Sequence, residues 1–178
     1  LAPPDKLAWD DDDDGSQDAA GMVRYAVSAE GIATIGIEGT LAYKSAWVGS
    51  SCLVGYDEIG GALAKAVTDP RVKGVMLAID SYGGEVNGAF DLADAIHAAR
   101  KLKPVHAVAA DDAMSAAYLL ASSAERVTIS RTSGVGSVGV VALHVDQSGA
   151  DRMAGLKFNY LYAGARKVDG NSHQALSD

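Results

Sequence analysis

One cysteine, Cys52, stands in 178 residues. No disulfide can form within the chain, which excludes a stapled secreted scaffold. Aromatic residues are scarce at 6%. Basic charge is in deficit: 15 Lys and Arg face 23 Asp and Glu, a formal net charge of −8. A chain with no basic stripe cannot neutralise a row of phosphates, which argues against a nucleic-acid partner. No apolar run reaches the ~18 residues of a membrane-spanning helix. No secretory leader pattern opens the chain. It begins with Leu1 rather than Met, as a cut or processed end would leave it. No internal repeat is evident. Phosphate-cradle signatures are missing too, with neither GxxxxGK[ST] nor a GxGxxG after a strand-like run.

What is present is a globular composition, 48% hydrophobic with 20 glycines, long enough for one domain with a core. Residues 1–20, with Asp10–Asp14 in a row, read as a solvated, flexible acidic tail. No histidine or spaced glutamate accompanies those aspartates, so no metal site is expected there. Beyond them the chain alternates. Strands are expected at 22–27, 32–37, 73–80, 104–110, 126–130, 136–146 and 157–163. Helices are expected at 57–67, 88–101, 113–124 and 146–155. The apolar run 73–80 suits a strand buried on both faces. The alternation predicts an α/β fold of repeated strand–helix units. One folded domain is drawn at 21–163. The polar segment 164–178 reads as a cut or partly disordered end.

The chemistry lies in the turns. In "AIDSYGGEVNGAF" (78–90) a strand ends near Asp80, and Gly83–Gly84 precede a helix. Glycines there permit unusual backbone angles and bring N–H groups close to a ligand. In "VAADDAMSAAYLL" (108–120) a strand runs into Asp111–Asp112 and a helix follows. With Asp112 as N-cap, Ser115 becomes the third helical residue, in the positive field of the helix start. The Ala116 N–H is one of the open donors there. Two such turns facing one pocket supply a nucleophile and an oxyanion hole. By position alone, a helix-start serine that merely caps or meets solvent is the commoner case. A nucleophile also needs a base. His97 and His106 fall inside a helix and a strand and read as structural. His144, with Asp146 nearby, and Lys167, beside Arg166, both stay open.

Three segments resemble the S49 serine peptidases, the signal peptide peptidase A family, and most of all its phage head-maturation branch. "IDSYGGEVNGAFDLADAI" is similar to D-S-P-G-G-E-V-x-G and the helix after it, with Tyr82 where the family has proline. "DDAMSAAYLLASSAERVTISRTSGVGSVGVV" resembles the nucleophile segment and its G-S-[IV]-G-V strand. "LHVDQSGADRMAGLKFNYLYAGARKVDGN" resembles the H-V-D-Q-S and Y-A-G-x-x-K-x-D-G-N blocks. The resemblance covers roughly 30–172 and implies a Clp/crotonase-like fold with a Ser/Lys dyad. Ser115 then matches the nucleophile and Lys167 the base, with Ser137 orienting the lysine. Gly84, or less directly Gly83, and Ala116 match the oxyanion hole. His144 becomes a structural residue. A substrate is expected to lie along Gly136, Val138 and Gly139, with a small apolar specificity pocket. The resemblance further implies a homo-oligomer whose site lies near a subunit interface, and Lys167 reaching it in cis or in trans. It implies protein substrates such as scaffold, portal or the enzyme itself, inside the procapsid in the host cytoplasm, and no cofactor. Three other readings are a signal-peptide-peptidase-like protease, a crotonase-type acyl-CoA enzyme and a silent head-assembly module.

Overall fold

The computed structural model describes residues 25–48 and 51–176, so the aspartate run Asp10–Asp14 lies outside the described residues. The chain divides into two units at Gly139/Val140.

The first unit is built on one eight-stranded sheet among the described residues. Its strands are β1 (Tyr25–Val27), β2 (Ile32–Ala42), β3 (Ala46–Val48), β4 (Ser51–Gly55), β5 (Gly74–Gly84), β6 (Val105–Met114), β7 (Arg126–Ile129) and β8 (Val135–Gly136). Three helices alternate with them: α1 (Tyr56–Thr68), α2 (Ala89–Ala99) and α3 (Ala116–Ser123). The main path runs β3-β4-β2-β5-β6-β7. The central ladder β2–β5–β6–β7 is parallel throughout. β1 shares an edge of β2 with β4, and β8 shares an edge of β6 with β7.

Alternation decides which face of the sheet is buried. Ile35 and Ile37 on β2, Leu77 and Ile79 on β5, and Val105, Ala107 and Ala109 on β6 are fully buried. They form one core with Ile59, Leu63 and Ala66 of α1, Leu92 and Ile96 of α2, and Leu120 and Ala121 of α3. The helical residues recur at three- and four-residue spacing, the stripe of an amphipathic helix. Each large side chain so buried contributes about 1.5–3 kcal/mol. Met76 and Ala78, on the other face of β5, are only half-buried. The run 73–80 is therefore a strand, but not one buried equally on both faces. The end of α1 is closed by Lys103, whose Nζ donates to the carbonyls of Ala66 (3.1 Å) and Asp69 (2.6 Å). A cation there complements the negative end of the helix dipole.

The second unit contains one short helix, α4 (Ser148–Met153), and no strand among its described residues. The strands expected at 136–146 and 157–163 are absent as ladders; β8 stops at Gly136. Those segments have the apolar composition of strands, but a strand exists only with a hydrogen-bonded neighbour.

Candidate active site

The β6–α3 turn is tighter than a plain helix start. β6 continues through Asp112 to Met114, and Ser115 itself is the N-cap of α3, with φ 50° and ψ −121°. The expectation that Asp112 caps the helix is therefore corrected. The reason is a bulge. Ile79 faces Ala109, but the next paired residues are Ser81 and Ala113, so Ala110–Asp112 swell out of the ladder before it resumes. Freed from helix duty, the Asp112 carboxylate accepts the Gly134 N–H at 2.8 Å. Bulges of this kind re-aim side chains beside active sites.

Ser115 carries a backbone conformation that costs about 1–3 kcal/mol for a residue with a Cβ. Its carbonyl accepts the Leu119 N–H (3.0 Å) and its N–H donates to Gly136 O (2.8 Å). Its side chain makes no capping bond. The hydroxyl is thus left for another partner, on a strained strand-to-helix elbow of the sort that presents nucleophiles.

Gly83 and Gly84 approach this elbow from β5, and they are not equivalent. Gly83 is buried at φ +91°, and a Cβ there would fall 2.8 Å from Ser115 Cβ and 2.9 Å from Ala116 N. Only glycine permits that approach. Its N–H donates to Ser81 Oγ at 3.1 Å. A Cβ on Gly84 would overlap the Leu41 carbonyl. The next residue, Glu85, donates its N–H to Leu41 O (3.0 Å). Successive N–H groups of a strand point to opposite edges, so the Gly84 N–H faces away from β2, and Gly84 is exposed. Glu85 is held further by Tyr56, whose hydroxyl donates to Glu85 O (2.6 Å), and by the Tyr43 N–H on Glu85 Oε2 (2.9 Å). Burial and the neighbouring Glu85 charge push the Tyr56 hydroxyl up to about 12, so it stays a donor.

The opposite wall is β8. Ala113 N–H donates to Gly134 O (2.9 Å), which with the Ser115–Gly136 bond fixes β8 beside the elbow. Ser137 follows at once, exposed and at φ 53°; it and Ser115 are the non-glycine residues with positive φ among those described. Val138 and Gly139 continue exposed and unladdered. The rim is acidic. Tyr82, 74% exposed, is raised above its ordinary pKa by a hydrogen bond to Asp112 and by the charges of Asp112, Asp111 and Asp80.

The structure thus brings Ser115, Ala116, Gly83, Gly84, Gly136 and Ser137 together in the first unit. Lys167 belongs to the second, in a turn where its N–H donates to Gly164 O (3.2 Å). That unit is tied internally by the HVDQS block and the segment 168–174. His144 Nε2 meets Asn171 O at 2.8 Å, and Gln147 N–H donates to Ser172 O at 2.8 Å. His173 Nδ1 meets Asp151 Oδ2 at 2.8 Å and its ring stacks on Phe158 at 3.7 Å. His144 is therefore engaged by a backbone carbonyl. Ser81 went unremarked in the sequence, although it breaks the inward apolar series Val75, Leu77, Ile79 at the next inward position.

Residues 97–178 match peptidase family S49. The chain is 45% identical over 147 residues to the head-tail preconnector protein GP5 of Enterobacteria phage P21, covering 82% of this chain and 29% of that protein. It is 40% identical over 173 residues to capsid assembly protease C of Escherichia phage lambda, covering 97% of this chain and 38% of that protein. It therefore spans well under half the length of either. Among solved structures, an enoyl-CoA hydratase/isomerase family member aligns with TM-score 0.50 and 15% identity, over 79% of this chain and 55% of its own. That likeness bears on fold alone, and the fold is the expected Clp/crotonase-like α/β class. Residues 97–178 thus carry the sequence pattern of peptidase family S49, and the likeness to two phage proteins runs along most of the chain.

Proposed function

We propose that this chain is the catalytic region of a serine endopeptidase that processes phage head proteins. The observation that carries the reading is the Ser115 elbow: a strained serine with no capping bond, pressed against Gly83 and beside the exposed Gly84. In the mechanism, Lys167 Nζ takes the hydroxyl proton and Ser115 Oγ attacks a peptide carbonyl. The N–H groups of Gly84 and Ala116 receive the oxyanion. Gly83, whose amide is engaged, serves the close approach of the two turns instead. The protonated lysine gives its proton to the leaving amine as the C–N bond breaks, and water resolves the acyl-enzyme. Ser137 orients the lysine amine. Substrate lies extended along Gly136, Val138 and Gly139, an edge whose backbone is open for strand addition.

The assembly is a homo-oligomer, and Lys167 acts within one subunit or between two. Support comes from the second unit, where Val141 is 94% and Leu161 100% exposed among many other apolar side chains. So many exposed apolar side chains in one short segment favour a covering partner. The substrates are scaffold, portal or the enzyme itself, inside the procapsid in the host cytoplasm; the relatives' names, a capsid assembly protease and a head-tail preconnector protein, support a role in head assembly. Among the described residues, no helix is long and apolar enough to cross a membrane.

The test is labelling by a fluorophosphonate probe and cleavage of a purified phage head protein by wild type, Ser115→Ala and Lys167→Ala. Loss of both activities in each variant, by about 10³-fold or more, is expected. Labelling that persists in Ser115→Ala defeats the nucleophile assignment. Activity that persists in Lys167→Ala returns the base to another residue.

A further inference from the structure

Ser81 is the polar side chain in the core of the first unit among the described residues, 1% exposed and flanked in its inward row by Ile79 and Gly83. It sits where β5 loses register with β2. Glu38 faces Asp80, but Thr40 faces Gly83, so β5 carries one residue more than its neighbour across that interval. Such a bulge interrupts the ladder and leaves backbone groups without partners. Here the Ser81 hydroxyl takes the place of the missing rung. It donates to Gly39 O at 2.5 Å, 42 residues away in sequence, and accepts the Gly83 N–H at 3.1 Å. A hydroxyl has one proton and two lone pairs, so a single Ser81 can serve both strands at once.

We propose that Ser81 is a positioning residue for the oxyanion hole: its hydroxyl sets the orientation of the Tyr82–Gly83 peptide, and through the backbone turn at Gly83 that of the Gly84 N–H that meets the oxyanion. The proposal rests on the peptidase reading above. The geometry leaves Gly83 little freedom from the other side, since Met114 O, Ala116 N and Ser115 Cβ all lie within 2.9 Å of a Cβ built there. With the Ser81 tether in place, the peptide is clamped between β2 and the nucleophile elbow. Without it, the Gly83 N–H must seek another acceptor, and the next N–H along the strand turns with it. Pre-set donors are what make such a hole effective, because they need no rearrangement as charge develops.

The test uses the full chain and a fluorophosphonate probe. The probe forms a P–O bond to Ser115, expels fluoride and places its phosphoryl oxygen where the oxyanion would lie. Time courses at several probe concentrations separate the maximal labelling rate from the half-saturating concentration. Wild type should label and Ser115→Ala should not; the opposite result removes the peptidase reading and this inference with it. Given that control, Ser81→Ala and the equal-sized Ser81→Cys should lower the maximal rate about 10- to 100-fold while half-saturation moves less than about threefold. The shape of the pH profile should stay, because the base is untouched. Ser81→Thr, which keeps a hydroxyl, should recover most of the rate. Amide exchange at Gly83 should accelerate in Ser81→Cys with the remainder of the sheet still protected. Wild-type labelling in Ser81→Ala and Ser81→Cys overturns the proposal. So does loss of rate only in step with the unfolding midpoint, or failure of both variants to fold, because Ser81 would then be supporting the core and not the hole.

Discussion

The two units of this chain are ordered by different physics. In the first, fully buried alternate residues of β2, β5 and β6 meet three helices, and backbone ladders do the rest. In the second, no described residue is buried. Its order comes from polar ties instead: His144 to Asn171, Gln147 to Ser172, and His173 to Asp151. Part-buried polar ties of this kind each contribute only about 1 kcal/mol net. The first unit therefore carries its own stability, whereas the second has no buried core among its described residues and leaves Val141, Leu143 and Leu161 exposed.

That contrast can be broken deliberately. The largest stability effect should come from Ile79→Ala, which empties a fully buried site and should cost about 2–5 kcal/mol in denaturant unfolding. A cost below 1 kcal/mol would mean the core is less tightly packed than its burial suggests. Next is Gly83→Ala. It meets the Ser115 elbow and forces a side chain into φ +91°, so it should cost about 1–3 kcal/mol and abolish probe labelling. Asp151→Asn, which weakens the tie to His173, should loosen the second unit by about 1 kcal/mol. Hydrogen exchange would show this in 144–173, with the first unit unchanged. Leu161→Ser should move unfolding of a dilute sample by less than about 0.5 kcal/mol. By sedimentation it should still weaken self-association, if copies of the chain cover that surface.

The smallest effect concerns pH. The hydrogen bonds and charge of Arg71, together with the Tyr25 hydroxyl, hold Asp69 down at about 2 from its ordinary 3.8. A depressed carboxyl stabilises the fold above the unfolded value, and that stabilisation is lost as pH falls from about 4 towards 2. Asp69→Asn should flatten this acid limb slightly. An unchanged limb would show that the pair does not matter to folding.

Much of the first unit is legible in its residues. The run 104–110 and the helix pattern at 88–101 correspond to β6 and α2, because burial imposes periodicity that survives in sequence. The expected helix at 113–124 begins instead at Ala116, because the Asp111–Asp112 bulge depends on pairing with β5, which no local pattern records. β3 and β4 had no counterpart in the sequence reading. The apolar stretches 136–146 and 157–163 read as strands because they have the composition of strands; composition does not name a partner. For the site, Gly83, Gly84 and Ser115 are legible as turn chemistry, whereas the roles proposed for Lys167 and Ser137 rest on family resemblance. Ser81 was hidden because a bridging hydroxyl matters only once two distant strands are side by side.

The Ser115–Gly136 hydrogen bond and the Ser81 bridge to Gly39 both join segments that are far apart along the chain. Closing such long loops is entropically slow, and parallel pairing of this sort comes late in folding. The Ser115 elbow should therefore be among the last features a new chain acquires. In a refolding experiment, probe labelling should trail the recovery of helical signal. On the proposed reading, an elbow that matures last keeps Ser115 idle while the chain is still unfolded.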